Sequence, residues 1–198
     1  MSGYGFKKGE GRESIVINRE NAIARGRFIN KIEYRKTDRA EFLTIEIVDG
    51  SGKAARKSYF PPNKIGSQYV PDQATYDKEM SKFNRAMKNL TNVFLGKDYE
   101  TGDIATFEHF CKKIIADIGN AYNKKELRIK LVYNKKNEVT LPTWPTMFEN
   151  PLLISDADSK MTITEWDRVE PIVIELDEDK VELKGSEPTK VGEDDLPF

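Results

Sequence analysis

The sequence predicts a mainly β chain with a helical insertion, an α+β architecture, and three observations predict it. Apolar and polar residues alternate in three consecutive segments between residues 25 and 60, the period of a half-buried strand. Between Asp72 and Gly119 the apolar spacing changes to three and four, the period of a helix. From Glu126 to Leu141 the alternation returns. Five strands result, with two helices inserted between the third and the fourth.

Each element follows from local chemistry. Residues 1–20 are Gly-rich and charged, and read as a flexible arm in which Ile15-Val16-Ile17 can make a short edge strand. The first full strand, Arg25–Arg35, sets Phe28, Asn30, Ile32 and Tyr34 on one face and Arg27, Ile29, Lys31, Glu33 and Arg35 on the other, one face buried and one basic. A turn at Thr37-Asp38-Arg39 leads to Glu41–Val48, with Leu43, Ile45 and Ile47 inward. Asp49-Gly50-Ser51-Gly52 is a hairpin signal, because Asp-Gly and Gly tolerate the positive φ of tight turns. Lys53–Phe60 is a third, basic strand, ended by Pro61-Pro62 because proline has no amide to give a ladder.

Asp72 is an N-cap for a long helix in which Tyr76, Met80, Phe83, Met87, Leu90 and Phe94 form one stripe before Gly96. A second helix from Asp103 carries Ile104, Phe107, Phe110, Cys111, Ile114, Ile115 and Ile118 inward until Gly119-Asn120 stops it. His109 and Cys111 fall inside that core stripe, which assigns neither a chemical role. Leu127, Ile129, Leu131 and Tyr133 alternate with Arg128, Lys130 and Val132 in a fourth strand, Glu126–Tyr133. The basic turn Asn134-Lys135-Lys136-Asn137 returns the chain as Glu138–Leu141. Residues 143–148 are a proline-broken aromatic loop laid on the sheet, Ser155–Ser159 is a turn, and Met161–Trp166 and Pro171–Leu176 each add a short strand. Beyond Asp177, charge, Gly, Ser and Pro cannot bury enough surface to offset the entropy of ordering. The organisation is thus an arm at 1–20, a folded domain at 21–176 and a disordered acidic tail at 177–198.

At 38% hydrophobic and 33% charged residues, the chain can bury one moderate core. No apolar run approaches the roughly 20 residues of a spanning helix, and the first twelve residues lack the apolar centre of a signal peptide. One cysteine excludes an internal disulfide, and with one histidine it cannot complete a zinc shell. The expectation is a cytoplasmic protein without membrane contact or cofactor. Charge is divided: Glu175–Phe198 holds nine acids against three lysines, a net −6, whereas Met1–Lys64 holds 14 Lys/Arg against 8 Asp/Glu, a net +6. A basic head with an acidic tail fits a body that binds a polyanion.

The last seven residues, Gly192-Glu193-Asp194-Asp195-Leu196-Pro197-Phe198, set carboxylates ahead of an apolar tip. Phe198 can fill a small pocket while its terminal carboxylate and the acids meet basic groups at the rim, a known mode of C-terminus capture. Here the chain resembles bacterial and phage single-stranded DNA-binding proteins, whose tails end in an acidic run, an apolar residue, Pro and Phe. The order of three strands, a helical excursion and two strands resembles the OB-fold, a small five-stranded Greek-key barrel that binds oligonucleotides. The insertion is longer than the one helix of the bacterial proteins and the long Gly/Gln/Pro-rich linker is missing, so the phage-encoded branch fits better. The resemblance implies an OB-like nucleic-acid-binding domain at 21–176 that acts in DNA replication, recombination and repair, in the host cytoplasm if phage-encoded. Its implied partners are single-stranded DNA and replication or recombination proteins docking on Glu193, Asp194, Asp195, Leu196, Pro197 and Phe198. A homo-oligomer stays open.

Single-stranded DNA needs cations along its phosphates and flat rings under its bases. Both are interleaved here. The candidate cations are Arg25, Arg27, Lys31, Arg35, Lys53, Arg56, Lys57, Lys135 and Lys136, and the candidate rings Tyr34, Tyr59, Phe60, Tyr133 and Trp144. Catalysis finds little support: there is no Walker-type phosphate loop and no Gly-x-Ser-x-Gly elbow. Two alternatives remain, a metal-dependent nuclease built on Asp156 and Asp158, and an acidic adaptor that does not touch DNA.

Overall fold

The computed structural model describes residues 13–142 and 147–172. Three strands come first, β1 (Ile23–Lys36), β2 (Glu41–Asp49) and β3 (Ala54–Tyr59). Two helices follow, α1 (Gln73–Leu95) and α2 (Phe107–Ile118), with a 3-10 turn at Gly119–Lys124. Four short strands complete the order: β4 (Leu127–Lys130), β5 (Val132–Tyr133), β6 (Val139–Thr140) and β7 (Phe148–Glu149). Five strands make one open antiparallel sheet in the order β3-β2-β1-β4-β7, while β5 and β6 pair separately. The architecture is α+β, with both helices inserted between the third and fourth strands as expected.

Turn and cap chemistry acts where the sequence places it at the β2–β3 hairpin and at both ends of α1. The Asp49 carboxylate accepts from the amides of Ser51 and Lys53 at 3.0 and 2.9 Å, closing the β2–β3 hairpin. Gly52 supplies the positive φ, 82°. Asp72 caps α1 by accepting from the Thr75 amide at 2.7 Å, and Gly96 ends the helix with φ 94°. α2 starts later than Asp103, because the Thr106 hydroxyl accepts from the His109 amide and makes Thr106 the cap. Ile104 therefore precedes the helix. His109 is exposed rather than in the core stripe, which consists of Cys111, Ile114 and Ile118 with Phe107, Phe110 and Ile115 beside it.

β1 departs most from simple alternation. Its pairing with β2 shifts between Ile29 and Lys31, so Asn30 is a bulge and the inward face changes parity there. Ile29 and Ile32 are both buried, at 0% and 5% exposure, a pair that strict period two would put on opposite faces. A second shift, against β4, lies between Ala24 and Arg27 and contains Gly26 with φ 72°. Two bulges bend this one strand so that it pairs with β2 and β4 on either side.

The expected fourth strand is divided. Leu131 turns its amide to the Ala22 carbonyl (2.8 Å) and Tyr133 donates to the Arg168 carbonyl (2.7 Å). β7 was expected as part of a loop and instead pairs with β4, Ile129 opposite Phe148. Asn89 of α1 holds this outer strand: its Oδ1 accepts from the amides of Met147 and Phe148 at 2.8 and 3.0 Å, and its Nδ2 donates to the Phe148 carbonyl at 3.2 Å. Beside the opposite edge, Ile15 donates to the Ala54 carbonyl (3.1 Å) and Ala54 to the Glu13 carbonyl (2.8 Å). Ile15 and Ile17 are buried in the core while Val16 is exposed. Within residues 13–20 of the expected arm, Ile15 and Ile17 are thus packed against the core and the other residues are exposed; 1–12 lie outside the described residues.

The Met161–Trp166 segment is not a strand, because the Thr164 amide donates to the Asp167 carboxylate (2.7 Å) and the Asp167 amide to the Thr164 carbonyl (3.1 Å), forming a turn. Pro171 and Ile172 are not in a strand either. The remainder of that expected strand and the 177–198 tail lie outside the described residues. The core is a single cluster of Ile29, Leu43, Ile45 and Ile47 from β1 and β2, Leu90 and Ile114 from the helices, and Leu127, Ile129 and Leu141 from the returning strands.

Candidate nucleic-acid interface

The predicted cations separate into three groups. Arg27 does not lie on an open basic face. It is 4% exposed, and its guanidinium donates to the carbonyls of Ala22, Ile129 and Asn21 at 3.0, 2.7 and 2.6 Å. Burial lowers its pKa to about 10 against the opposing pull of Asp49. This side chain ties β1 to β4 and is not available to a phosphate.

A second group is exposed but ion-paired. Lys31 and Arg35 share Glu33 at 2.9 and 2.7 Å, and their hydrogen bonds hold its carboxyl below the ordinary value. Arg25 pairs with Asp156 (2.9 Å), Lys53 with Glu13 (3.5 Å) and Arg56 with Glu46 (2.5 Å). The exposed pairs among these contribute about 0–1 kcal/mol, so a phosphate can take the place of their carboxylates, whereas Arg56 is held by a buried Glu46 that also accepts from Asn30. Lys57 is half-buried over the Tyr59 ring, and burial lowers its pKa.

The third group is Lys135 and Lys136, exposed in the β5–β6 turn. The Asn134 side chain accepts from the amides of Lys136 and Glu138 at 2.8 and 3.0 Å, and Asn137 takes φ 59°. A tight turn thus holds two lysines out in solvent.

The rings sort by burial. Tyr59 is 8% exposed, with its hydroxyl 3.3 Å from the Met147 sulfur, so it is a core ring and not a stacking platform. Tyr34 packs near Phe107 and donates to Glu41 at 2.7 Å; that hydrogen bond, with burial, raises its pKa. Tyr133 is half-buried and donates to the Ile17 carbonyl. Phe60 remains exposed, at 55%, resting on Phe42 with ring centroids 5.3 Å apart. Trp144 and the tip residues Glu193–Phe198 lie outside the described residues.

Beside the candidate ring Phe60 lie residues that the sequence pattern does not single out. The segment after Pro61-Pro62 carries Tyr69, 70% exposed, and two clefts share the wall from Phe60 to Asn63. One, of about 290 Å³, lies among Phe60, Pro62, Asn63, Tyr69, Lys82 and Phe83. The other, of about 490 Å³, is bordered by Lys36, Arg39, Phe60, Pro62 and Lys64. Arg39 and Lys64 make no ion pair among the described residues. The signal was a double proline that stops a strand directly after an aromatic residue, leaving that ring at a free corner.

The alternative carboxylate pair is otherwise engaged. Asp156 binds Arg25 and Arg128, whose hydrogen bonds lower its pKa, while Asp158 accepts from the Ser155 hydroxyl at 2.6 Å. No group of acids, His and Cys among the described residues is arranged to hold a metal. No described helix is long and apolar enough to cross a membrane. Neither a protein-family model nor a curated protein sequence matches this chain.

Proposed function

We propose that this chain binds and protects single-stranded DNA during replication, recombination or repair, and recruits partner enzymes through its C-terminal tip. The observation that carries the reading is the connectivity. Strands β1 to β3 pair consecutively, β4 returns beside β1 after the helices, and the β5–β6 hairpin comes to the far side of β3, where the Thr140 hydroxyl donates to the Arg56 carbonyl at 2.8 Å. That neighbour order supports an OB-like Greek-key domain, a scaffold suited to oligonucleotides. Exchangeable cations on β1 and the β5–β6 turn supply the electrostatic part.

The tail supplies the second role. Its acids and its Leu-Pro-Phe end suit a basic-rimmed pocket on another protein. The place of action is then the cytoplasm, that of the host if the chain is phage-encoded.

A gel-shift with single- and double-stranded oligonucleotides tests the reading. Preferential single-strand binding without cleavage is expected. Metal-dependent cutting would favour a nuclease, and no binding an adaptor.

A further inference from the structure

The geometry points to a nucleotide-binding corner at Phe60, in which one base enters the cleft between Phe60 and Tyr69 and the adjoining phosphates lie on Lys36, Arg39 and Lys64. It rests on the reading that the chain binds single-stranded DNA, and it joins the candidate ring Phe60 to Lys36, Arg39, Lys64 and Tyr69, which the strand alternation does not mark.

Chemistry on the two sides of one wall carries the inference. On one side, the cleft of about 290 Å³ is close to the lower limit of small-molecule sites, roughly 300 Å³. Its two exposed rings, Phe60 and Tyr69, are 55% and 70% exposed. Exposed rings of this size on a soluble domain cost hydration unless something covers them, and bases stack on such rings whatever their sequence. Asn63 adds an amide able to donate to and accept from a base edge.

On the other side are three cations. Lys36 has only a long contact to Glu108, at 4.0 Å, and Arg39 and Lys64 have no ion pair among the described residues. Glu41, the one acid on this cleft, already accepts from the Tyr34 hydroxyl. A cationic cleft and an aromatic cleft sharing one wall match the two faces of a nucleotide. They match the tip of the chain's own tail less well, because Glu79 stands beside Lys82 in the aromatic cleft, 2.6 Å away, and opposes the terminal carboxylate.

Backbone geometry keeps the corner in place. Pro61-Pro62 fixes the exit from β3, and a turn closes the following segment through the Gly66 amide on the Val70 carbonyl (2.8 Å) and the Val70 amide on Ser67. Val70 is buried, so Tyr69 is held by its neighbour and not by its own ring.

The test uses the full chain and a fluorescent oligo-dT probe, with Phe60→Leu, Tyr69→Leu, Tyr69→Phe and the double substitution Arg39→Ala/Lys64→Ala. Each loss of a ring should weaken binding about 5- to 150-fold, while Tyr69→Phe binds as wild type and thermal midpoints stay unchanged. The double cation variant should flatten the salt slope by about 1.4, at roughly 0.7 per phosphate contact. Irradiating a 5-iodouracil probe should cross-link it to Phe60 or Tyr69, a readout that a purely structural role does not produce. If wild type binds the probe and all the variants bind equally, or cross-links fall only on other residues, the corner is overturned while single-strand binding stands. If wild type itself does not bind, the underlying reading fails and the corner with it. A labelled Gly192–Phe198 peptide that binds wild type and is lost in Phe60→Leu, with DNA affinity unchanged, would overturn the inference in favour of the tail.

Discussion

Asp167 closes over Lys130: the two side chains are 4% and 0% exposed, and the ammonium also donates to the Thr162 carbonyl at 2.8 Å. Arg128, two residues earlier on β4, is buried in the same way against Glu149 at 2.6 Å. The segment from Glu149 to Asp167 is therefore fastened across the outer face of β4 by charge. Removing one partner leaves a buried charge uncompensated, at about 3–5 kcal/mol. Asp167→Ala should lower the urea midpoint accordingly. Lys130→Met/Asp167→Leu, which leaves no orphaned charge, should recover most of the loss.

Gly26 should not accept a side chain cheaply. A Cβ there meets nothing within 4 Å, but φ is +72°, so the cost of Gly26→Ala is backbone strain alone, about 1–2 kcal/mol. Thermal or urea unfolding of the variant measures it. A cost near zero would mean that the β1 bulge relaxes.

Acid should loosen the β2–β3 hairpin. Burial pushes the Asp49 carboxyl up, but hydrogen bonds from Ser51 and Lys53 outweigh it and hold the pKa below the ordinary value. A depressed carboxyl stabilises the fold above its unfolded pKa, about 3.9, and loses that contribution as pH falls through the folded value. Urea midpoints should fall below about pH 4, and Asp49→Asn should show a shallower acid limb.

Binding to single strands should weaken log-linearly with salt. This follows if the proposed function holds: each phosphate contact contributes about 0.7 to the slope, so Lys135→Ala/Lys136→Ala should reduce it by about 1.4 if both lysines touch phosphates. Arg27→Lys should destabilise the protein without a matching change in slope, because Arg27 faces carbonyls and not solvent.

The tail should divide into two functions. Removing Glu193–Phe198 should raise DNA affinity at low salt, by an amount that shrinks as salt screens the competition, and should abolish capture of a partner. Phe198→Ala should leave DNA affinity nearly unchanged and still lose the partner. Equal recovery of replication proteins by wild type and both variants in pull-downs would reduce the tip to a solubilising end.

The sequence is legible at several positions where one residue decides the local backbone, though not at Thr106, which caps α2 in place of Asp103. Asp49 at the hairpin, Asp72 and Gly96 at the ends of α1 and Pro61 after β3 all act as their chemistry requires. It is not legible where the decision is made by distant partners. Nothing near Asn30 announces a bulge, so the parity change that buries both Ile29 and Ile32 was hidden. Arg27, Arg128 and Lys130 look like surface cations until Ile129, Glu149 and Asp167 are brought to them. The polar stretch from Glu149 to Arg168 reads as loop and weak strand because its hold on the sheet is ionic, and ionic pairing over 20 residues or more leaves no period in a sequence.

Asn89 has a consequence for how two copies of the chain can meet. By taking up the Phe148 amide and carbonyl, it engages two main-chain groups of the outermost strand that a stray β-strand would otherwise seek. The opposite edge is occupied in part by Glu13 and Ile15 on Ala54. Backbone pairing between two copies is thereby limited at both of these edges, and contact between them falls to side chains, which salt and substitution can tune.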